Sequence, residues 1–180
     1  MQAKIPLAAA SLLLGLTAQL ACGYALVGRG TAVDPTIKVV GVPLFEDRTG
    51  RPDLDRKVTD MVIEELLKRG RFDVINQEAG ADAVVKGQIQ SYRAVPIGFS
   101  EEDQNPDRTE ASRYAISLTA NVVYSKRGVK LPIWQNPSFR TTDEWDVGDP
   151  ANFFDREEQG IDRLVKEFAR EVVAAMMEAF

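Results

Sequence analysis

The sequence contains no histidine and, in 180 residues, a single cysteine, Cys22. The absence of histidine excludes catalysis by a Ser-His-Asp or Cys-His arrangement. It also removes the combinations of His and Cys on which the usual zinc sites depend. We find no glycine-rich phosphate-binding loop and no nucleophile elbow in the sequence. The sequence therefore predicts a protein that is not an enzyme and that has no metal site and no cofactor.

Long apolar runs are also missing, apart from residues 5–16 near the N-terminus, which carry no charge. This stretch is shorter than the roughly 20 residues that a membrane-spanning helix needs. Lys4 precedes it and Ala21 follows it, which is the pattern of a secretory signal peptide. We therefore predict that residues 1–21 form a signal peptide and are cleaved.

Cys22 directly follows this leader and has no second cysteine with which to form a disulfide bond. We predict that it is the lipid-attachment residue of a bacterial lipoprotein and the first residue of the mature chain. Gly23 stands where an aspartate commonly holds lipoproteins at the inner membrane of enteric bacteria, which favours the outer membrane. Gln19 departs from the leucine that such signals usually have. The alternatives are an ordinary signal peptide with a spare thiol, or a core cysteine in a cytosolic chain.

The chain is acidic, with 22 Lys and Arg residues against 27 Asp and Glu residues. Proteins bind nucleic acids through clustered cations, so no nucleic-acid partner is expected. A content of 44% hydrophobic and 27% charged residues is typical of a globular domain. We predict a signal peptide at 1–21, a lipidated N-terminus and linker at 22–36, and a single α+β domain at 37–180.

Apolar and alternating patterns predict five strand segments and two helices. The predicted strands cover residues 37–45, 72–75, 83–95, 113–124 and 131–145. Pro137 in the last of these favours a bulge or an edge position. One helix is predicted over 53–69, ended by Gly70 in the left-handed conformation, and another follows the apolar stripe at 161–176. This order predicts an α+β two-layer sandwich, with a mixed, mostly antiparallel sheet of about four or five strands and two amphipathic helices on one face.

Residues 96–110 are acidic and poor in apolar side chains, which predicts an exposed loop between two strands. Calcium binding by its carboxylates is disfavoured, because the spacing and the glycine of an EF-hand are missing. The strand that follows alternates cleanly between apolar and polar residues. Such alternation places one face on the core and the other toward water or a partner.

Seven short segments carry a more specific pattern along the mature chain. They are Cys-Gly-Tyr-Ala-Leu at 22–26, Val-Pro-Leu-Phe-Glu-Asp-Arg-Thr at 42–49, Gly-Arg-Phe-Asp-Val at 70–74, Ala-Asp-Ala-Val-Val-Lys-Gly at 81–87, Ser-Tyr at 91–92, Trp-Gln-Asn at 134–136 with Phe139, and Asp-Glu-Trp at 143–145. In this order they resemble the LptE family of lipopolysaccharide-assembly lipoproteins. Asp47 and Trp145 depart from the residues more common in that family, Asn and Tyr.

The resemblance implies an outer-membrane lipoprotein, held by its acyl chains, that sits as a plug inside a large β-barrel partner. Together the two would insert lipopolysaccharide into the outer leaflet, and the lipoprotein itself would bind that glycolipid. The resemblance also implies a sheet covered by two helices on one face. No catalysis is implied.

Lipopolysaccharide presents phosphates and acyl chains, so its binding requires Lys and Arg beside an apolar surface. Residues 125–130, here named the basic tip, place three cations close together in an acidic protein. The candidate ligand-binding residues are Arg93, Arg113, Lys126, Arg127 and Lys130. The alternative is that these are ordinary solubilising charges. Four polar residues of the long strands are the expected barrel-facing surface: Gln88, Ser117, Thr119 and Asn121.

Three other functions stay open at this point. A ring-forming lipoprotein that resembles curli-type secretion-channel subunits would oligomerise, whereas a plug pairs one-to-one with a barrel. A passive lipoprotein with a structural role at the envelope is the second. A carboxylate-dependent hydrolase that uses Glu64, Glu65 or Asp82 is disfavoured, because the sequence gives no evident paired site for these acids.

Overall fold

The structure, a computed structural model, describes residues 34–102, 105–147 and 153–178, and the side chains of 34–99, 111–147 and 153–178. The predicted signal peptide, Cys22 and most of the predicted linker lie outside these ranges. The described elements are β1 (Val39–Gly41), β2 (Glu46–Asp47), α1 (Leu54–Lys68), β3 (Asp73–Ile75), β4 (Ala83–Glu102), β5 (Asn105–Lys126), β6 (Trp134–Asp146) and α2 (Phe153–Glu178).

The strands form one mixed sheet in the order β3-β1-β4-β5-β6, and β2 pairs separately with β4. β1 runs parallel to β3 and β4, and β2 runs parallel to β4. The long strands β4, β5 and β6 are joined antiparallel. The predicted mixed, mostly antiparallel sheet is confirmed, with six described strands where four or five were expected.

The strand predicted at 37–45 is much shorter than expected. Only Val39–Gly41 pairs as a strand, and β2 follows at Glu46–Asp47. Pro43 lies between them and has no backbone N–H to donate to a neighbouring strand. Val42 and Phe45 are nevertheless buried in the core, so the apolar run reflects burial of an irregular connection.

β4 and β5 form a hairpin that is much longer than the sequence patterns indicate. Together they extend through most of residues 96–110, so the prediction of an exposed loop there is wrong. Register shifts occur on both sides of Gly98, next to Pro96. Pro96 and Gly98, the two residues that fit a regular strand least well, therefore lie where the pairing is irregular. Each strand supplies hydrogen-bonding partners for the other's backbone, which favours extension despite the loop-like composition. Residues 95–102 and 105–115 are named the hairpin arm below.

Both helices cover one face of the sheet, as predicted. Gly70 follows α1 with φ +63°, the left-handed conformation expected of it. The buried stripe of α2 contains Gly160, Ile161, Leu164, Val165, Phe168, Ala169, Val172, Val173 and Met176. It packs on the inward side of β5, whose buried residues are Ile116, Leu118, Ala120, Val122 and Tyr124. Neither described helix has the length and apolar character needed to cross a membrane.

β6 is the last strand at one side of the sheet, and it contains a bulge. Its pairing with β5 shifts register between Asn136 and Phe139, which places Pro137 in the irregular part. A proline is tolerated there because no ladder hydrogen bond depends on its nitrogen. The predicted bulge or edge position of Pro137 is confirmed.

A buried contact joins the connection after β1 to both α1 and β4. The Phe45 N–H donates to Thr59 Oγ1 at 3.0 Å, and that hydroxyl donates to the Asp55 carbonyl oxygen at 2.7 Å. The Phe45 ring is 1% exposed and lies against Gly87, where any side chain would overlap it. A glycine inside a long strand is thus explained by the close approach of the aromatic ring.

Candidate functional site

The basic tip connects β5 to β6, and two of its cations are held by the protein itself. Lys126 Nζ donates to Asp34 Oδ2 at 2.6 Å and to Thr36 Oγ1 at 2.7 Å. The Arg127 guanidinium donates to the Glu78 carbonyl oxygen at 3.2 Å. These contacts fasten the tip to the first described residues of the chain and to the segment before β4.

The remainder of the basic tip, together with the residue that follows it, is exposed. Val129, Lys130 and Leu131 are all exposed, Leu131 to 77%. Gly128 closes the turn with φ +78°. Within the described part of the chain, neither Arg127 nor Lys130 forms an ion pair. The tip therefore presents the free positive charge of Lys130 beside apolar side chains, whereas Arg127 is bound to the Glu78 carbonyl oxygen and attracted by Asp82.

The other two candidate cations, Arg93 and Arg113, lie along the long strands. Arg93 is exposed and pairs in register with Ser117, while Arg113 Nε donates to Asp146 Oδ1 at 2.8 Å. Arg113 and Lys126 stand toward opposite ends of β5, roughly 40 Å apart along the extended strand. The five candidates therefore form two separate groups instead of one site.

Two carboxylates beside the basic tip are held in their charged form. The hydrogen bond from Lys126 is the main cause that keeps the pKa of Asp34 far below its usual range. The backbone N–H groups of Val39 and Lys38, each 2.9 Å from Asp82 Oδ2, lower the pKa of Asp82. Asp82 thereby fixes the beginning of β1 next to β4.

Asp82→Asn is expected to lower the free energy of unfolding at neutral pH and to lose this effect in acid. Folding lowers the pKa of Asp82, so its carboxylate stabilises the fold above the ordinary carboxyl pKa of about 4. This contribution is lost as the pH falls below that value toward the folded-state pKa. Urea denaturation of both proteins from neutral pH to acid measures the effect. A difference between them that stays constant in acid would contradict the prediction.

The face of the sheet that the helices leave uncovered, here named the bare face, is polar. Gln88 pairs in register with Asn121, and Ser117 and Thr119 lie on the same side of β5. Arg140 of β6 donates to Ser117 Oγ at 3.3 Å across this face. The structure thus brings the four polar residues expected to face a barrel onto one side of the sheet, but Ser117 is only 7% exposed there.

Three exposed apolar side chains of the hairpin arm were missed by the sequence patterns. They are Val95, Ile97 and Phe99, the last 62% exposed. Their alternation is a strand signal, but Pro96 and Gly98 between them favour a loop assignment. Clustered apolar side chains at a protein surface mark a contact with another molecule. The arm therefore joins the bare face as a candidate interaction surface.

The acids considered for hydrolysis have structural partners. Glu64 pairs with Lys68 at 2.7 Å, and Glu65 pairs with Arg69 at 3.4 Å. Asp82 binds the backbone of β1, as described above. Among the residues that the structure describes, no three acidic or cysteine side chains are grouped to hold a metal ion. The calcium alternative rests on residues 100–110, whose side chains lie outside the described part.

The fold and its surfaces define a two-layer α+β domain with one helix-covered sheet face, one bare polar face and a projecting hairpin arm. The chain belongs to the LptE family, described as lipopolysaccharide-assembly, whose family model matches residues 37–176. This match covers nearly all of the predicted domain and confirms the family resemblance seen in the sequence. No curated protein sequence matches the chain significantly.

Solved structures share this fold at low sequence identity. Protein XCC0632 from Xanthomonas campestris is 10% identical, with 79% of this chain and 85% of that chain covered and a TM-score of 0.55. The hypothetical protein CT253 from Chlamydia trachomatis is 13% identical, with 78% and 96% covered and a TM-score of 0.53. Rare lipoprotein B from Shewanella oneidensis is 12% identical, with 77% and 92% covered and a TM-score of 0.42. The first two similarities show the shared fold alone.

Proposed function

We propose that this lipoprotein is anchored in the outer membrane through acyl chains on Cys22 and sits as a plug inside a large β-barrel protein. In that position it assists the insertion of lipopolysaccharide into the outer leaflet and binds the glycolipid. The domain then lies in the barrel lumen or at its periplasmic opening. Membership of a lipopolysaccharide-assembly family supports a role in that assembly. The surfaces of the domain support its position inside a barrel.

The observation that carries the plug proposal is the bare face, which continues into the hairpin arm. A single-sided sheet usually turns its second face to water. Here an arm with three exposed apolar residues within five positions continues from that face, and clustered exposed apolar side chains mark a contact with another molecule. Large transmembrane barrels have polar interiors. A polar sheet face suits such a lumen, and the apolar arm suits a protein contact at its rim.

Binding of lipopolysaccharide is proposed through the cations Arg93, Arg113, Lys126, Arg127 and Lys130. Phosphate groups bind strongly to Arg because the guanidinium can donate two parallel hydrogen bonds. Arg113 and Lys126 already have carboxylate partners at 2.8 and 2.6 Å. Arg93 lies exposed on the bare face beside hydroxyl groups, so it is the strand cation best placed to meet a phosphate.

Photo-crosslinking in cells tests the plug. A photoreactive residue is placed at Thr142 on the bare face or at Asp60 on the exposed side of α1. If a barrel encloses the domain, both positions are expected to give a product with the same large outer-membrane β-barrel protein. A product at one position only indicates docking on a single face. Products in multiples of the mature chain's own mass would instead support the ring-forming alternative and overturn the plug.

The same method tests the glycolipid contact at a third position. A photoreactive residue in place of Arg93 is expected to capture lipopolysaccharide, whereas one at Asp60 on the helix-covered side is not. Equal capture at both positions, or none at position 93, would contradict the assignment of Arg93. This result is independent of whether the barrel products appear.

A further inference from the structure

The chain enters the described domain at the basic tip. Asp34 and Thr36 are the first described residues with side-chain contacts, and both bind Lys126 Nζ. The Ile37 N–H donates to the Asp34 carbonyl oxygen at 3.0 Å, which closes a turn at this point. The described part of the chain therefore begins next to the tip and far from the hairpin arm.

The length of that segment limits how far the domain stands from its anchor. Eleven residues separate Cys22 from Asp34, and a chain of this length spans at most about 40 Å. β5 is longer than this limit, at roughly 70 Å for its 22 residues. The limit therefore corresponds to little more than half the length of β5. A tether of this length is long enough for the tip end of the domain to reach a membrane that holds Cys22.

The surface of the tip has the chemistry of a membrane contact. Leu131 and Val129 expose aliphatic side chains beside Lys130 and Arg127. Two nearby acids are paired within the protein, Asp34 with Lys126 at 2.6 Å and Glu78 with Lys86 at 2.8 Å. A third, Asp82, accepts from the backbone of β1 and attracts Arg127, so Lys130 is the cation of the tip with no acidic partner among the described residues. Basic side chains attract anionic headgroups, and adjacent aliphatic ones enter the headgroup–acyl boundary.

We propose that residues 127–131 contact the phospholipid surface of the leaflet that holds the acyl chains of Cys22. Leu131 and Val129 enter the interface, while Lys130 and Arg127 bind the phosphates of anionic phospholipids. The contact rests on the lipid attachment in the proposed function. It extends the phosphate binding proposed for Arg127 and Lys130 to the phospholipids of that leaflet.

The single cysteine makes a direct test possible, because acylation consumes its thiol. In the lipidated full-length protein, Leu131→Cys gives one reactive thiol at the tip. Phe154→Cys is the matched control, since Phe154 is 79% exposed at the opposite end of the domain. Each variant carries an environment-sensitive dye and is reconstituted into phosphatidylethanolamine–phosphatidylglycerol vesicles, without a barrel or lipopolysaccharide.

The dye at position 131 is expected to shift to the blue, to brighten several-fold and to be quenched by brominated acyl chains, whereas the dye at position 154 keeps a water-like spectrum. Adding Lys130→Glu to the tip variant is expected to reduce the change. A water-like spectrum at 131 in anchored protein, or equal quenching at both positions, would overturn the inference alone. Dye uptake by the chain without an introduced cysteine would show a free Cys22 and overturn the lipid attachment as well.

Discussion

Gly87→Ala is expected to lower the free energy of unfolding by about 3 kcal/mol, the upper end of the usual effect of overpacking a core. A Cβ atom on Gly87 would come within 2.5 Å of three carbon atoms of the Phe45 ring. The ring cannot turn away easily, because it is 1% exposed and its backbone N–H is bound to Thr59. Urea denaturation followed by circular dichroism measures the loss directly.

The cause of this effect can be isolated by a double-mutant cycle. Phe45→Ala alone is expected to cost about 3 to 5 kcal/mol, as for other buried phenylalanines. In that background the added methyl group of Gly87→Ala enters vacant space, so the second substitution should cost little. The two changes are therefore expected to be strongly non-additive. Equal costs of Gly87→Ala in both backgrounds would refute the contact as its cause.

Elements with a clear periodicity and a local end signal could be predicted from the sequence. β5 alternates over its inward residues because one face meets the helices and the other stays bare. α1 ends where Gly70 allows the left-handed conformation that closes a helix. In both elements the pattern reports burial against the rest of the core, and burial is the largest favourable term in folding.

The hairpin arm could not be predicted, because its extension depends on pairing between distant residues. Pro96 and Gly98 each favour a loop when only their neighbours are considered. The structure places Pro96 opposite Tyr114 and puts irregular pairing around Gly98, so both fit within an extended hairpin. Register and bulges of this kind follow from the partner strand and leave little trace in local composition.

The candidate site, like the fold, has features that the local sequence predicts and features that depend on distant residues. The sequence indicates which cations stand out in an acidic chain, but it cannot indicate which of them are already neutralised. Lys126 meets Asp34 from 92 positions away, and Arg113 meets Asp146 from 33 positions away. Such pairs arise only when the sheet topology brings the two segments together. The ordered family pattern was the signal in the local sequence that the match to the LptE family model confirmed.

Cys22→Ala is expected to move the protein from the membrane fraction to the soluble fraction of the envelope or to leave its leader uncleaved. Anchoring by acyl chains gains about 0.8 kcal/mol for each buried methylene, so two or more chains hold a protein stably. A tip with two exposed aliphatic side chains replaces only a small part of this energy. Fractionation and mass spectrometry of the mature chain measure the loss of both the membrane attachment and the lipid mass.

Gly23→Asp is the matched control for this change, because it alters sorting while it leaves the acylated thiol in place. In an enteric host the variant is expected to keep the lipid mass and to shift from the outer to the inner membrane. There it is separated from an outer-membrane barrel, so the crosslinks at Thr142 and Asp60 should disappear although the domain is intact. If Cys22→Ala stays in the outer membrane, or if those crosslinks persist after the shift, then acyl chains on Cys22 do not determine where this protein is assembled.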